Sequence, residues 1–516
     1  MSLPYQCVTA LGQTGIICAA RGTVLFTFGA DGSLLSSWEH PATQRKTSSV
    51  EGAAEEAAGK AGEESGASSP PPKKRKVDAE GGVEAAGTAP TEESATSTAD
   101  DAKSNGRRNR SQKAKPKHPQ YNVQEQPYVN LLKATANGGY LVAITGTDKT
   151  IWVFEHDGKG QLKELSQRSM PKRPCDIALT SDDTVLLVAD KFGDVYSLPL
   201  VPSADGETEA GASTPASSKA PPRLVSKGAN PLTVHSKRNL KALEDQKRQR
   251  ESQGENGGSK PRDAPTFEHE LLIGHVSMLT SIAVTSSNGK PYILTGDRDE
   301  HIRVSRGIPQ AYVIESFCLG HTAFINALSL PQPDVLVSGG GDNELHVWDW
   351  KTGTLKAKVD LLGHVQQVVP GADKLAVSRL ISTNQYIFAT CERVPAIFVF
   401  TTTDVGVHFA QILQLAGNPL DMAIVPEQGA AGRLVVGVDG ADAAARLLVF
   451  TPHENSWSQS TDVTFQETDV KGLEAARADL DRILYTVENL RKTDFGFGDD
   501  DAETPAQESE AASTPA

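Results

Sequence analysis

Short runs in which apolar and polar residues alternate occupy most of this chain, and turns rich in Gly, Asp and Ser separate them. That pattern predicts strands joined into antiparallel meanders. The first set lies within residues 1–40: Cys7-Val8, residues 15–19, residues 23–28, and residues 33–35 after the turn Ala30-Asp31-Gly32. Apolar runs resume at 140–144 and 151–154 around Gly146-Thr147-Asp148-Lys149, and again at 175–179, 185–189 and 190–196. Later sets fall at 374–382, 386–391 and 396–400, then at 420–425, 433–438 and 446–450. One interval departs from the alternation. From Gly472 onward, Leu473, Leu480, Ile483, Leu484, Val487 and Leu490 fall at helical spacing with charges between them, which predicts an amphipathic helix within 467–492. Docking on the rim of its own domain is the expected role, with a hold on a partner as the alternative.

Between Gly274 and Trp350 one unit is written twice. The first copy opens with Gly274-His275, passes through Thr295-Gly296-Asp297-Arg298-Asp299 and closes on Ile302-Arg303-Val304-Ser305. Gly320-His321, Ser338-Gly339-Gly340-Gly341-Asp342 and Leu345-His346-Val347-Trp348-Asp349 repeat it, and Gly363-His364 is expected to open a further unit. A period of roughly forty to forty-five residues, with GH at the start and WD at the end, marks a four-stranded propeller blade. With the other strand sets, the prediction is an all-β, seven-bladed β-propeller of WD repeats: a first blade in 1–40, further blades in 121–200, and the rest in 266–466.

The recurring polar positions have a physical task. The Asp342 carboxylate can accept a hydrogen bond from the His321 imidazole, whose other nitrogen can reach the Ser338 hydroxyl, and that hydroxyl can reach the indole N–H of Trp348. Such a network satisfies buried polar groups and ties the strands of a blade together. The first copy offers His275, Thr295, Asp299 and Ser305 in the same places. Ser305 stands where the tryptophan would, so a shorter and weaker network is expected. This pairing reads the histidines as structural, without a metal or catalytic role.

Residues 41–120 and 201–265 contain almost no large apolar side chains, so they cannot offset their ordering entropy and are expected to be disordered. The first holds Pro72-Lys73-Lys74-Arg75-Lys76-Val77, which resembles a monopartite nuclear import signal, an extended basic peptide that fits acidic pockets on an importin. A nuclear location follows as an expectation. A second basic cluster, Arg107-Arg108-Asn109-Arg110, precedes Lys113, Lys115 and Lys117. The second insertion breaks a blade after Leu200 and carries Lys237-Arg238 and Lys247-Arg248-Gln249-Arg250; residues 267–273 then supply that blade's outermost strand, so the insertion is read as a rim loop. Residues 493–516 form an acidic tail that is expected to be disordered.

Composition narrows the function. A formal net charge of −14 over 516 residues is a poor match for a domain that grips nucleic acid alone, although the basic insertions leave direct RNA binding open as an alternative. Five widely spaced cysteines form no CxxC pair, which argues for reduced thiols and against a zinc site or disulfide framework. The amino terminus, Met1-Ser2-Leu3-Pro4-Tyr5, shows no secretion signal, and no apolar run is long enough to span a bilayer. No P-loop, HExxH or GxSxG motif occurs. The stretch Val435-Val436-Gly437-Val438-Asp439-Gly440 superficially resembles a glycine-rich cofactor loop, but a strand followed by a turn explains it. We therefore expect a scaffold with no catalytic residues, metal or cofactor of its own.

Three stretches together resemble one family. They are residues 274–280, residues 293–305 with Thr295-Gly296-Asp297-Arg298-Asp299-Glu300-His301-Ile302-Arg303-Val304-Ser305, and residues 315–321; Asp190-Lys191-Phe192-Gly193-Asp194-Val195-Tyr196 fits as well. They are similar to the WD-repeat, non-catalytic subunit of eukaryotic tRNA (guanine-N7)-methyltransferase, of the filamentous-fungal type. The resemblance implies a heterodimer in which the propeller stabilises a separate methyltransferase subunit. That subunit would carry S-adenosylmethionine and form N7-methylguanosine in the tRNA variable loop, at position 46, so tRNA is met through the complex. Carried onto this sequence, the resemblance places the partner contact on Arg303 first, through a bidentate pair with a carboxylate, then on Arg298, Asp299, Glu300 and Lys191. The alternative is a scaffold of another nuclear complex, in chromatin or ribosome assembly.

Overall fold

The computed structural model describes residues 3–43, 126–202, 267–427, 432–440, 446–454, 456–466 and 476–492. All belong to one compact unit made of 1–44 and 123–516. The bulk of the two predicted insertions, the import signal Lys73, Lys74, Arg75, Lys76 and Val77, and the acidic tail lie outside the described residues.

Seven antiparallel sheets of four strands follow one another along the chain. Blade 1 spans residues 7–39, blade 2 residues 129–169, blade 4 residues 279–319, blade 5 residues 325–360, blade 6 residues 377–414 and blade 7 residues 418–459. Blade 3 takes three strands from 174–199, and Glu270–Gly274, beyond the long insertion, adds its outermost strand. The innermost strand of each blade lies against that of the next, and Cys7–Ala10 meets Asn418–Val425 to close the ring. The propeller prediction therefore stands.

The strands form for reasons visible in their side chains. Tyr386–Cys391 is buried along its whole length, and its β-branched and aromatic residues pack between neighbouring blades on both faces. Outermost strands face water instead. Thr354–Asp360 is mostly exposed and carries Lys356 and Lys358, charges that discourage pairing with another sheet edge.

Two expectations change. Gly363-His364 opens no blade: it lies in helix α1, Leu362–Val368, which links blades 5 and 6, and the His364 ring stacks on Phe409 at 3.6 Å. The C-terminal helix, α2, covers only Arg477–Leu484, and Gly472 and Leu473 fall outside the described residues. Its end has a local cause. The backbone N–H groups of Val487 and Glu488 donate to the two carboxylate oxygens of Glu392, at 2.8 and 2.9 Å, where a continuing helix would have turned them to its own carbonyls. Leu480 packs into the core shared by blades 1 and 7, and the chain then crosses the mouth of the central channel. The helix thus docks on the channel face, not on the rim.

Candidate docking face on blades 3 and 4

Blade 5 provides the reference geometry. His321 Nδ1 lies 2.7 Å from Asp342 Oδ2 and His321 Nε2 lies 2.7 Å from Ser338 Oγ, while Trp348 Nε1 donates to that same hydroxyl at 2.8 Å. The Asp342 carboxylate can only accept, so His321 Nδ1 carries the proton toward it, and in the neutral ring Nε2 accepts from the Ser338 hydroxyl. Burial alone would raise the Asp342 carboxyl; hydrogen bonds from His321 and Thr322 outweigh it and hold it well below the usual carboxylate range. His321, Asp342 and His346 offer three buried ligand atoms within 4.8 Å of one another. Both nitrogens of His321 are committed to Asp342 and Ser338, so the cluster acts as a hydrogen-bond network.

His346 makes this network acid-sensitive. Burial, then the positive charge that His321 would carry in acid, pushes its pKa down from the ordinary 6.5 to about 4. The unfolded chain therefore takes up a proton between pH 6.5 and pH 4 that the native blade refuses, and stability is lost as pH falls through that window. For a fully buried imidazole the loss amounts to roughly 3 kcal/mol. Thermal melts at pH 7, 5.5 and 4.5 are expected to show a steadily falling midpoint, and His346→Phe to flatten the slope; a wild-type midpoint that does not move contradicts this account.

Blade 4 departs from the reference at two of four positions. His275 Nε2 keeps its bond to Thr295 Oγ1, at 3.1 Å. Asp299, expected on His275, instead places Oδ1 3.3 Å from Lys492 Nζ. Partial burial pushes its carboxyl up, and hydrogen bonds from Lys492 and Ser277 bring it below its ordinary value. At the tryptophan position, the buried Ser305 Oγ accepts from Arg303 Nε at 2.9 Å, and Arg303 Nη1 donates to the Gly274 carbonyl at 3.3 Å. Arg303 pairs with Thr295 across the ladder just as His346 pairs with Ser338. A half-buried guanidinium thus sits beside the vacant tryptophan position, and its burial lowers its pKa.

The surroundings of Arg303 are unusually apolar for a surface. Phe317 stands directly opposite Arg303, and Leu319 opposite His301, so each pair shares a face. Phe317 and Leu319 are exposed, as is Leu271 on the outermost strand of blade 3. The turn Lys191-Phe192-Gly193 continues the surface: the His275 N–H donates to the Gly193 carbonyl at 2.7 Å, which sets Phe192, 66% exposed, near the fully exposed Val276. Gly193 has φ +97°, and a Cβ there would come within 2.5 Å of the His275 carbonyl oxygen, so this junction requires glycine. Burial and then the neighbouring Arg173 charge lower the pKa of Lys191. Exposed apolar side chains with cations beside them at one seam between blades are the composition of a protein-docking surface.

Arg298, Asp299 and Glu300 lie in the turn above this patch. Arg298 Nε donates to the Leu490 carbonyl at 2.7 Å, and Lys492 Nζ lies 3.1 Å from Glu300 Oε1. The structure therefore pairs Arg303 with Phe317 and exposes Phe192, Leu271, Val276 and Leu319 on blades 3 and 4, residues that the sequence reading did not assign to a partner contact. A signal was available: apolar residues sit on the outermost strand Ile314–Leu319 where blade 5 carries lysines.

Comparison with known proteins settles the family. Residues 17–459 match the family model described as the tRNA methyltransferase TRM82 WD40 domain. The chain belongs to this family. It is 36% identical over 528 residues to the tRNA (guanine-N(7)-)-methyltransferase non-catalytic subunit trm82 of Sclerotinia sclerotiorum, covering 95% of this chain and 98% of that protein. The corresponding proteins of Phaeosphaeria nodorum and Aspergillus clavatus are each 39% identical, over 69% and 71% of this chain and 81% and 79% of their own lengths. TRM82-family membership agrees with the resemblance seen in the stretches at 190–196 and 274–321.

Proposed function

We propose that this chain is the non-catalytic subunit of a tRNA (guanine-N7)-methyltransferase and holds the catalytic subunit against the seam of blades 3 and 4. The names of its relatives support the first part, and the exposed apolar patch around Arg303 supports the second. Phe192, Val276, Phe317 and Leu319 supply desolvation energy, while Arg303 and Lys191 select a partner surface bearing carboxylates. In this reading S-adenosylmethionine and the methyl transfer belong to the partner, tRNA is engaged through the complex, and the signal at Lys73–Val77 brings the chain to the nucleus by way of an importin. A scaffold role elsewhere in the nucleus is disfavoured by the family.

Reversing one charge tests the docking face. Arg303→Glu is expected to weaken binding of the purified catalytic subunit by on the order of 100-fold, since it sets like charges against each other at a half-buried contact. Arg303→Ala should weaken binding less, and both variants should melt close to wild type, because the bonds lost to Ser305 and Gly274 are individually small. Undiminished copurification of Arg303→Glu with the catalytic subunit would remove Arg303 from the interface.

A further inference from the structure

The segment after α2 connects most of the propeller face. Tyr485 donates to Asp439 of blade 7 and accepts from Asn418, and Glu392 of blade 6 receives the N–H groups of Val487 and Glu488. Arg491 donates to the carbonyls of Gly341 and Leu375, at 3.0 and 2.8 Å, and its guanidinium lies over the Phe324 ring. At its last described residues the segment reaches blade 4, where Leu490 and Lys492 engage three successive turn residues, Arg298, Asp299 and Glu300. Glu300 has φ +77°, a left-handed conformation that a side chain of its kind seldom adopts without external support. Lys492 Nζ lies 3.1 Å from the Glu300 carboxylate and 3.3 Å from that of Asp299. One residue after Glu300 the strand His301–Arg306 begins, carrying Arg303 into the apolar patch.

We propose that residues 485–492 form a clasp that completes the docking site: the chain's own C-terminal segment sets the 298–300 turn in the shape the catalytic subunit binds. This rests on docking at blades 3 and 4. The anchor on Glu392 and the load on the turn sit on different blades, so the clasp transmits a constraint from blade 6 to the edge of the interface. The partner's surface at this edge must complement two adjacent carboxylates, Asp299 and Glu300, flanked by the cations Arg298 and Lys492, with the side chains of Asp299 and Lys492 half exposed.

Two full-length variants test the clasp. Lys492→Glu places a third negative charge beside Asp299 and Glu300, and Glu392→Ala removes the clasp's anchor without touching the turn. Each is expected to weaken binding of the purified catalytic subunit about 10-fold, within the usual range for coupled sites, and to speed amide hydrogen exchange at 298–300. Weaker binding by Lys492→Glu with wild-type affinity for Glu392→Ala would make Lys492 a simple contact and overturn the proposal. Tighter binding by either variant would overturn it too, because the segment would then obstruct the site. Retained binding by Arg303→Glu sinks the docking face itself, whereas normal binding by both clasp variants sinks only the clasp.

Discussion

Trp348→Ala is expected to destabilise the propeller by about 4 kcal/mol, the upper part of the range for truncating a buried aromatic. The indole is fully buried and packs with Leu294, Ile302 and Val304 of blade 4 as well as Leu336 and Trp350 of blade 5, so its removal opens a cavity between two blades. It also deprives Ser338 of a donor within a buried network whose members depend on one another. With an unfolding entropy of about 2.1 cal/mol/K per residue over more than roughly three hundred ordered residues, each kcal/mol moves the midpoint by about 1.5 °C, and the melting midpoint should fall by about 6 °C. Ser305→Ala, at the equivalent place in blade 4, should cost only about 1 kcal/mol, since it removes a single bond to Arg303. Equal losses for the two variants would show that the blade-5 network carries no special weight.

That contrast between neighbouring copies explains what the sequence could and could not reveal. The blade-5 network was legible because His321, Ser338, Asp342 and Trp348 recur at spacings fixed by the strands themselves. Asp299 occupies the same spacing, yet Lys492 lies almost two hundred residues away, and no local pattern reveals that the carboxylate will turn to it. Gly363-His364 misled for a related reason: the dipeptide carries meaning only with a carboxylate and a strand hydroxyl to receive the imidazole, and here His364 finds the Phe409 ring. Outermost strands such as Leu162–Ser169 and Ser456–Gln459 were not seen, because half-solvated edges need few apolar residues. The C-terminal helix showed correctly as a periodic apolar face, but its length was set by Glu392, a tertiary partner that overrides helical spacing.

Packing and a few polar contacts close the ring where its two terminal blades meet: the Gln466 N–H donates to the Gly32 carbonyl at 3.0 Å, and Asp421 ties blade 7 to both its neighbours. Among the described residues the four strands of every blade pair within their own blade, so blades 1 and 7 are joined by packing and a few polar contacts. One oxygen of Asp421 accepts the Val8 N–H at 2.9 Å and the other accepts Arg379 Nε at 2.8 Å, which links blades 1, 6 and 7 through one carboxylate. Close approach supports it: at Gly437 a Cβ would fall 2.4 Å from the Tyr5 carbonyl oxygen, so the blade-7 backbone lies directly against the blade-1 entry. Asp421→Ala leaves the Val8 N–H without its acceptor and Arg379 without its counter-charge in the channel wall. Because the Arg379 side chain keeps 34% of its accessibility, water recovers part of the loss, and about 2–4 kcal/mol is expected. Asp421→Asn retains an acceptor for Val8 but not the charge, and should cost about half as much. The distinguishing measurement is local: amide exchange at Val8 should accelerate strongly in the alanine variant and little in the asparagine variant. If exchange at Val8 is equally slow in both, the seam is held by apolar packing of Tyr5, Phe26 and Phe28, and the carboxylate is dispensable to closure.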